Sequence, residues 1–278
     1  MQSAHRPAGP TNRVGLYRQQ TGAVCPYTCK LTRQLQPPPA KMPLPYTPQI
    51  VGSSIVAVGD FNPAIFSPDW LHRNQLIGDG DHQAALSAET VLVSRRVSVC
   101  ETDWFHLQIL ENQLVLLSKG ALTPALKDLA EGIFLLVTHT PITAVGINFH
   151  AHYQMTSMAD LHKVGDVLAP KVVWGELFNT AKYSSGLMDL QIKIQQGARD
   201  VQEPSNDAIH IQIQPSNQIK TGIYFMLNDH RVSFAKGESD KTAAERAAAL
   251  VAREWEQTWA FATQTFESLL SKVLASGG

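Results

Sequence analysis

From residue 50 onward the chain switches between apolar patterns of period two and patterns of period three to four. Ile55-Val56-Ala57-Val58-Gly59-Asp60-Phe61 reads as a strand, and Ser67-Pro68-Asp69-Trp70-Leu71 as a helix start with Ser at the N-cap and Pro at the first helical position. Val91 to Val99 reads as one strand. Phe105 to Leu110 and Leu114 to Leu117 then flank Glu111-Asn112-Gln113, a short hairpin loop. Thr123-Pro124 opens a helix whose Leu126, Leu129, Ile133 and Leu136 recur three or four apart on one face.

The order then begins again. Ile142-Thr143-Ala144-Val145-Gly146-Ile147 matches Ile55-Val56-Ala57-Val58-Gly59-Asp60 at four of six positions at an offset of 87, and Phe66 and Tyr153 keep that offset. Ser157 caps a second short helix through Leu161, Val164 and Leu168. Strands follow at Leu187 to Ile194, Ala208 to Ile213 and Gly222 to Leu227, and a helix runs from about Thr242 to Leu274. Both halves, 42–140 and 141–278, therefore read as β-α-β-β-β-α, which favours an internal duplication. Leu190, Ile192 and Ile194 alternate with Gln191, Lys193 and Gln195, and Ile209, Ile211 and Ile213 with His210, Gln212 and Gln214. One apolar face and one wet face predict an α+β fold with largely antiparallel sheets, each packed on one face by helices. The doubly wound parallel alternative would need strands apolar on both faces.

Composition divides the chain. Its 278 residues carry 23 Lys+Arg against 24 Asp+Glu, yet residues 1–41 hold Arg6, Arg13, Arg18, Lys30, Arg33 and Lys41 and no acid, leaving the remainder at −7. That segment also holds the run Pro37-Pro38-Pro39 and has no apolar periodicity, so it reads as a disordered basic tail. Three readings stay open for it: a start upstream of a native Met42, an organellar transit peptide, or a functional basic arm. No apolar stretch is longer than Gly132 to Val137, far below the roughly 18 residues a membrane helix needs, so no membrane span is expected.

Candidate chemistry is sparse. No Gly-x-Ser-x-Gly, His-Glu-x-x-His or phosphate-binding Gly-Lys-Ser/Thr loop occurs. His150 and His152 stand two apart and project, with Asn148, from one face of their strand, while Phe149, Ala151 and Tyr153 point to the other. Two imidazoles on one face are candidate metal ligands if a carboxylate such as Asp160, or His162, joins them; the plainer alternative is a polar solvent face. Gly78-Asp79-Gly80-Asp81-His82 reads as a surface turn. Cys25 and Cys29 have no second pair to complete a zinc site, and Cys100 reads as a buried strand thiol. Trp255 and Trp259 recur at helical spacing with Phe266, Leu269 and Leu270. They read as core against the sheet, or as anchors of a partner-binding surface. The acidic body has no Lys/Arg track for nucleic acid.

The mid-chain strand Ile142-Thr143-Ala144-Val145-Gly146 followed by Ile147-Asn148-Phe149, the late strand Ile223-Tyr224-Phe225-Met226-Leu227 and a closing helix with Phe266 resemble a sporadically distributed family of bacterial proteins of uncharacterised activity. Where that family continues with an Arg- or Tyr-rich strand, this chain has His150-Ala151-His152. The resemblance implies a bacterial cytoplasmic protein from a mobile-element or defence operon and supplies no catalytic residue. The expectation is a non-enzymatic protein that acts with a protein partner, without cofactor, nucleic acid or membrane, and open to homo-oligomerisation. The alternative is a metal-assisted hydrolase or small-ligand enzyme centred on His150 and His152.

Overall fold

The computed structural model describes residues 46–120, 124–178, 185–195, 207–232 and 242–275. The tail 1–41, with Cys25 and Cys29, lies outside them, as does Thr123. Among the described residues nine strands form a single antiparallel sheet. In chain order they are β1 (Ile50–Gly59), β2 (Leu92–Val93), β3 (Val97–Glu101), β4 (Phe105–Leu110), β5 (Gln113–Ser118), β6 (Ile142–Gln154), β7 (Leu190–Gln195), β8 (Ala208–Pro215) and β9 (Gly222–Val232). Across the sheet the order is β2-β3-β4-β5-β1-β6-β9-β8-β7. The first strand of each half sits at the centre, and each half extends outward through its last strand, so the two halves meet along β1 and β6 in one sheet. Residues Met42–Gly278 form one compact unit accordingly.

The helices are α1 (Pro68–Arg73), α2 (Asp79–Ser87), α3 (Ala125–Leu136), α4 (Met158–Leu168) and α5 (Ala243–Ala275). Their ends follow local chemistry. Ser67 Oγ accepts from the Trp70 N–H at 3.1 Å, and Ser157 Oγ from the Asp160 N–H at 3.1 Å. Thr242 and Glu245 form a capping box: the Thr242 N–H donates to Glu245 Oε2 at 2.7 Å and the Glu245 N–H to Thr242 Oγ1 at 3.2 Å.

All these helices gather over one face. The inward residues of β1, β4, β5, β6, β8 and β9, among them Ile55, Ala57, Leu107, Leu116, Ile147, Phe149, Phe225 and Leu227, are buried, with α3 lying on β1 and β5 and α5 on β6 and β9. Trp255 of α5 is 2% exposed and stacks edge-on against Phe149 with ring centroids 4.9 Å apart. Burying side chains of this size stabilises the fold by about 1.5–3 kcal/mol each.

Several expectations change. Val91 to Val99 is not one strand: it turns at Ser94, whose hydroxyl donates to Val97 O at 2.9 Å, and returns as β3. The β4–β5 connection is a two-residue turn at Glu111-Asn112, because Leu110 pairs with Gln113. Gly78 to His82 is no surface turn but the start of α2, with Gly78 as N-cap and Asp79 and Asp81 in the first turn, where acidic side chains favour a helix. On α3, Leu136 faces out and Val137 is buried instead.

The match at offset 87 does not superpose on the topology. Ala57 is buried and Ala144 is not, while Val58 is 43% exposed and Val145 fully buried. An odd offset sends each inward residue to the outward face of the other strand. Phe66 also lies before α1, whereas Tyr153 lies inside β6. In strands and α-helices the first half runs β-α-α-β-β-β-β-α and the second β-α-β-β-β-α, so the expected order holds for the second half alone.

One buried polar network ties α5 to the sheet. Asp229 of β9 is 3% exposed; Arg231 grips it with Nε at 2.6 Å and Nη2 at 3.1 Å, and Thr258 Oγ1 of α5 donates to it at 2.7 Å. Glu254 of α5 lies 3.6 Å from Arg231 Nη2. Removing one partner strands a buried charge. Arg231→Met is therefore expected to lower unfolding free energy by about 3–5 kcal/mol in urea titration, far more than Arg253→Met on the exposed side of α5.

Candidate functional site

The opposite face of the sheet carries no helix among the described residues. Its outward side chains line up in rows across the strands. Ser54, Asn148, Asn228, His210 and Lys193 form one row, Gly52, His150, Met226, Gln212 and Gln191 the next, and Ile50, His152, Tyr224 and Gln214 a third. Five of the ten histidines, His106, His150, His152, His210 and His230, point to this face.

His150 and His152 do share the face predicted for them, but they are not simply solvated. The His152 ring is 2% exposed, lies 4.8 Å from the Tyr224 ring, and has Nδ1 2.7 Å from Ser216 Oγ in the β8–β9 connection. The His150 ring stands perpendicular to it with centroids 6.0 Å apart and lies over Gly52. A Cβ at Gly52 would sit 2.5 Å from His150 Cε1 and Nε2, so the absent side chain is the cradle of the imidazole. Beside the pair, Asn228 Oδ1 is buried without a hydrogen-bond partner among the described residues, and Asn148 Nδ2 reaches Ser54 O at 3.4 Å.

Burial disfavours the imidazolium form. It pushes His150, His152 and His210 below the usual histidine range, with the neighbouring His152 adding to the effect at His150 and Lys193 and His230 adding at His210. Burial likewise raises the Tyr224 phenol. The cluster is accordingly neutral near pH 7, a set of hydrogen-bonding and stacking groups without net charge.

The other half of this face is aliphatic. Val56 and Val115 pair across β1 and β5, Ser54 lies beside Leu117, and Gln108 is flanked by Val115 and Val99. Val58 is 43% and Leu117 39% exposed. The single wet face expected from β7 and β8 thus holds for the second half only. Of the strand residues on this face, the charged ones are Glu101 on β3 and Lys193 on β7, toward the two ends of the sheet. Glu101 is held down to about 2 chiefly by its bond from Lys119 Nζ at 2.7 Å, then by Thr90.

The remaining candidates fall elsewhere. Trp255 is sealed in the core, out of reach of a partner, and the partly buried Trp259 packs 5.0 Å from Phe149, so the stripe makes a sheet contact. Among the described residues no three His, Cys, Asp or Glu side chains come together to hold a metal. Asp160 is engaged by the hydroxyl of its own N-cap, Ser157, at 3.0 Å, and the imidazoles of His150 and His152 have no third ligand among the described residues. Cys100 is fully buried, and burial, with the Asp81 charge adding, pushes its thiol up to about 12. Glu254 and Glu256, two apart on α5, diverge and share no site: Glu254 faces Arg231 and Glu256 is exposed. Among the described residues no helix is long and apolar enough to cross a membrane.

Tyr224, Asn228, His230 and Gly52 were not singled out from sequence. Tyr224, Met226, Asn228 and His230 alternate with the inward Ile223, Phe225, Leu227 and Asp229, but Tyr and Met count as apolar and hide the period of two. Comparison of the chain with protein-family models and with curated proteins finds no match.

Two outcomes test this geometry. Gly52→Ala should cost about 1–3 kcal/mol by overpacking against His150. In a denaturation cycle most of that cost should vanish in the His150→Ala background. Because the folded-state pKa values of His150, His152 and His210 lie below an unfolded value of about 6.5, the unfolded chain takes up more protons in that window. Stability is then fully present above about pH 6.5 and falls as the pH drops toward the lowered folded values. Melting temperatures from pH 7.5 to 5 should show this decline, with a shallower slope for His150→Ala.

Proposed function

We propose that this is a non-enzymatic binding protein that receives a partner protein on the helix-free face of its sheet. The observation supporting this is the make-up of that face: exposed aliphatic side chains on β1 and β5 continue into a neutral cluster of imidazoles, amides and Tyr224 on β6 and β9. Val58 and Leu117 forgo hydrophobic stabilisation in the isolated chain that a covering surface would restore. An apolar centre bordered by hydrogen-bonding groups and poor in charge is the composition of protein interfaces, whereas a nucleic acid would call for a track of Lys and Arg. The resemblance to the bacterial family points to a cytoplasmic partner encoded beside this chain.

Affinity purification from the native host with quantitative mass spectrometry tests the reading. A protein recovered with the wild type should fall at least tenfold with Leu117→Lys and with Val58→Lys, both exposed and both with near-unchanged melting temperature, and persist with Glu256→Lys on the exposed side of α5. Equal recovery by all three, or no specific protein at all, overturns the proposal. A melting temperature that rises on adding zinc or manganese and no longer does so in His150→Ala would move the assignment to metal chemistry on His150 and His152.

A further inference from the structure

Among the described residues, the last strand of the sheet, β7, has one side without a neighbouring strand. Among the described residues it pairs with β8 alone, so alternate backbone N–H and C=O groups face outward. Its helix-side residues are not covered as their equivalents on β8 are: Ile192 and Ile194 are 45% and 44% exposed, against 5% for Ile211, and Met188 just before the strand is 84% exposed. Lys171 Nζ binds Ser185 O at 2.9 Å, tying the exposed Val172, Val173 and Trp174 to the approach to this strand. A long, apolar, uncovered edge invites another strand.

The charges on and just before β7 say which strand. Asp189 accepts from Gln191 Nε2 at 2.7 Å and Gln212 Nε2 at 3.1 Å, with no cation beside it among the described residues. Lys193, on the same face, makes no ion pair with a described residue. A second copy can run antiparallel to β7 about a two-fold axis only if the axis passes through a residue paired with itself, since any other placement would exchange the faces. An axis at Lys193 sets two like charges against each other, and one at Ile192 sets Lys193 against Gln191. An axis at Gln191 sets Asp189 against Lys193 twice, Leu190 against Ile192 twice, and Met188 against Ile194 twice. That register alone satisfies both charges and buries the three exposed apolar side chains together.

We propose that the protein is a homodimer in which β7 pairs with β7 of a second copy about Gln191, joining two nine-stranded sheets into one continuous sheet. The interface is separate from the helix-free face, so each copy keeps that face for its partner.

Sedimentation equilibrium across micromolar concentrations of the full chain tests this. The wild type should be a dimer. Asp189→Lys and Lys193→Asp should each raise the dissociation constant at least tenfold by opposing like charges, and the double variant Asp189→Lys/Lys193→Asp should recover it. Ile192→Lys should give monomer. These positions are exposed, and melting temperatures within a few degrees of wild type confirm intact folding of each variant. A wild type that stays monomeric, a dimer indifferent to the single reversals, or a double variant no tighter than the singles overturns the proposal.

Discussion

The ladder between β1 and β6 is the constraint on which the rest depends. It pairs Ile50 with His152 at one end and Gly59 with Ile142 at the other, with a register shift after Val58. Without it each half would be a four- or five-stranded sheet with a bare apolar edge at Ile55 or Ile147. With it, the inward residues of both halves form one surface wide enough to take α3 and α5 side by side. The bulge at Val58 and Gly59 lies where the backbone must close on Pro141, whose carbonyl would be 2.8 Å from a Cβ at Gly59.

Covering one face only decides the character of the other. Side chains there have each other for neighbours, so their packing is set by strand register. The second half of the face fills its rows with rings and amides that shield one another well enough to leave His152 as buried as a core residue. The first half fills them with valine and leucine, which β-sheet sterics accept but water does not favour. A neutral, partly dehydrated polar surface beside an aliphatic one has little long-range pull on charged ligands and reads a partner by shape and hydrogen-bond geometry.

Much of the fold was legible in the sequence because its signals were local. The Ser67-Pro68 and Ser157 caps, the alternation in β7 and β8 and the amphipathic run of α5 each specify an element without help from elsewhere. What escaped was set by tertiary context. The Asp79-Gly80-Asp81 stretch looks like a turn by propensity, yet α2 forms there, joined to α1 by the crossed pairs His72 with Asp79 and His82 with Asp69 and anchored by Trp104 Nε1 on Asp81. The site was half legible: the spacing of His150 and His152 gave their common face, but the groups that dehydrate them come from β1, β9 and the β8–β9 connection, and strand order across the sheet cannot be read from any single segment. For the tryptophans, helical spacing says only that a face is apolar and left core and partner surface both open; here Trp255 and Trp259 meet Phe149, as the core reading has it.

The placement of α5 has a consequence for how the protein is made. Thirty-three residues long, it touches α3 of the first half as well as β6 and β9 of the second, and it supplies Trp255, Phe266 and Leu270 to the shared core. It is also the last of these elements to be synthesised. At about 5–20 residues per second the finished strands wait some seconds with their aliphatic face bare. During that interval the nascent chain is a substrate for chaperones and for misassociation with its neighbours, and its yield in the cell should be governed by how quickly this one helix arrives.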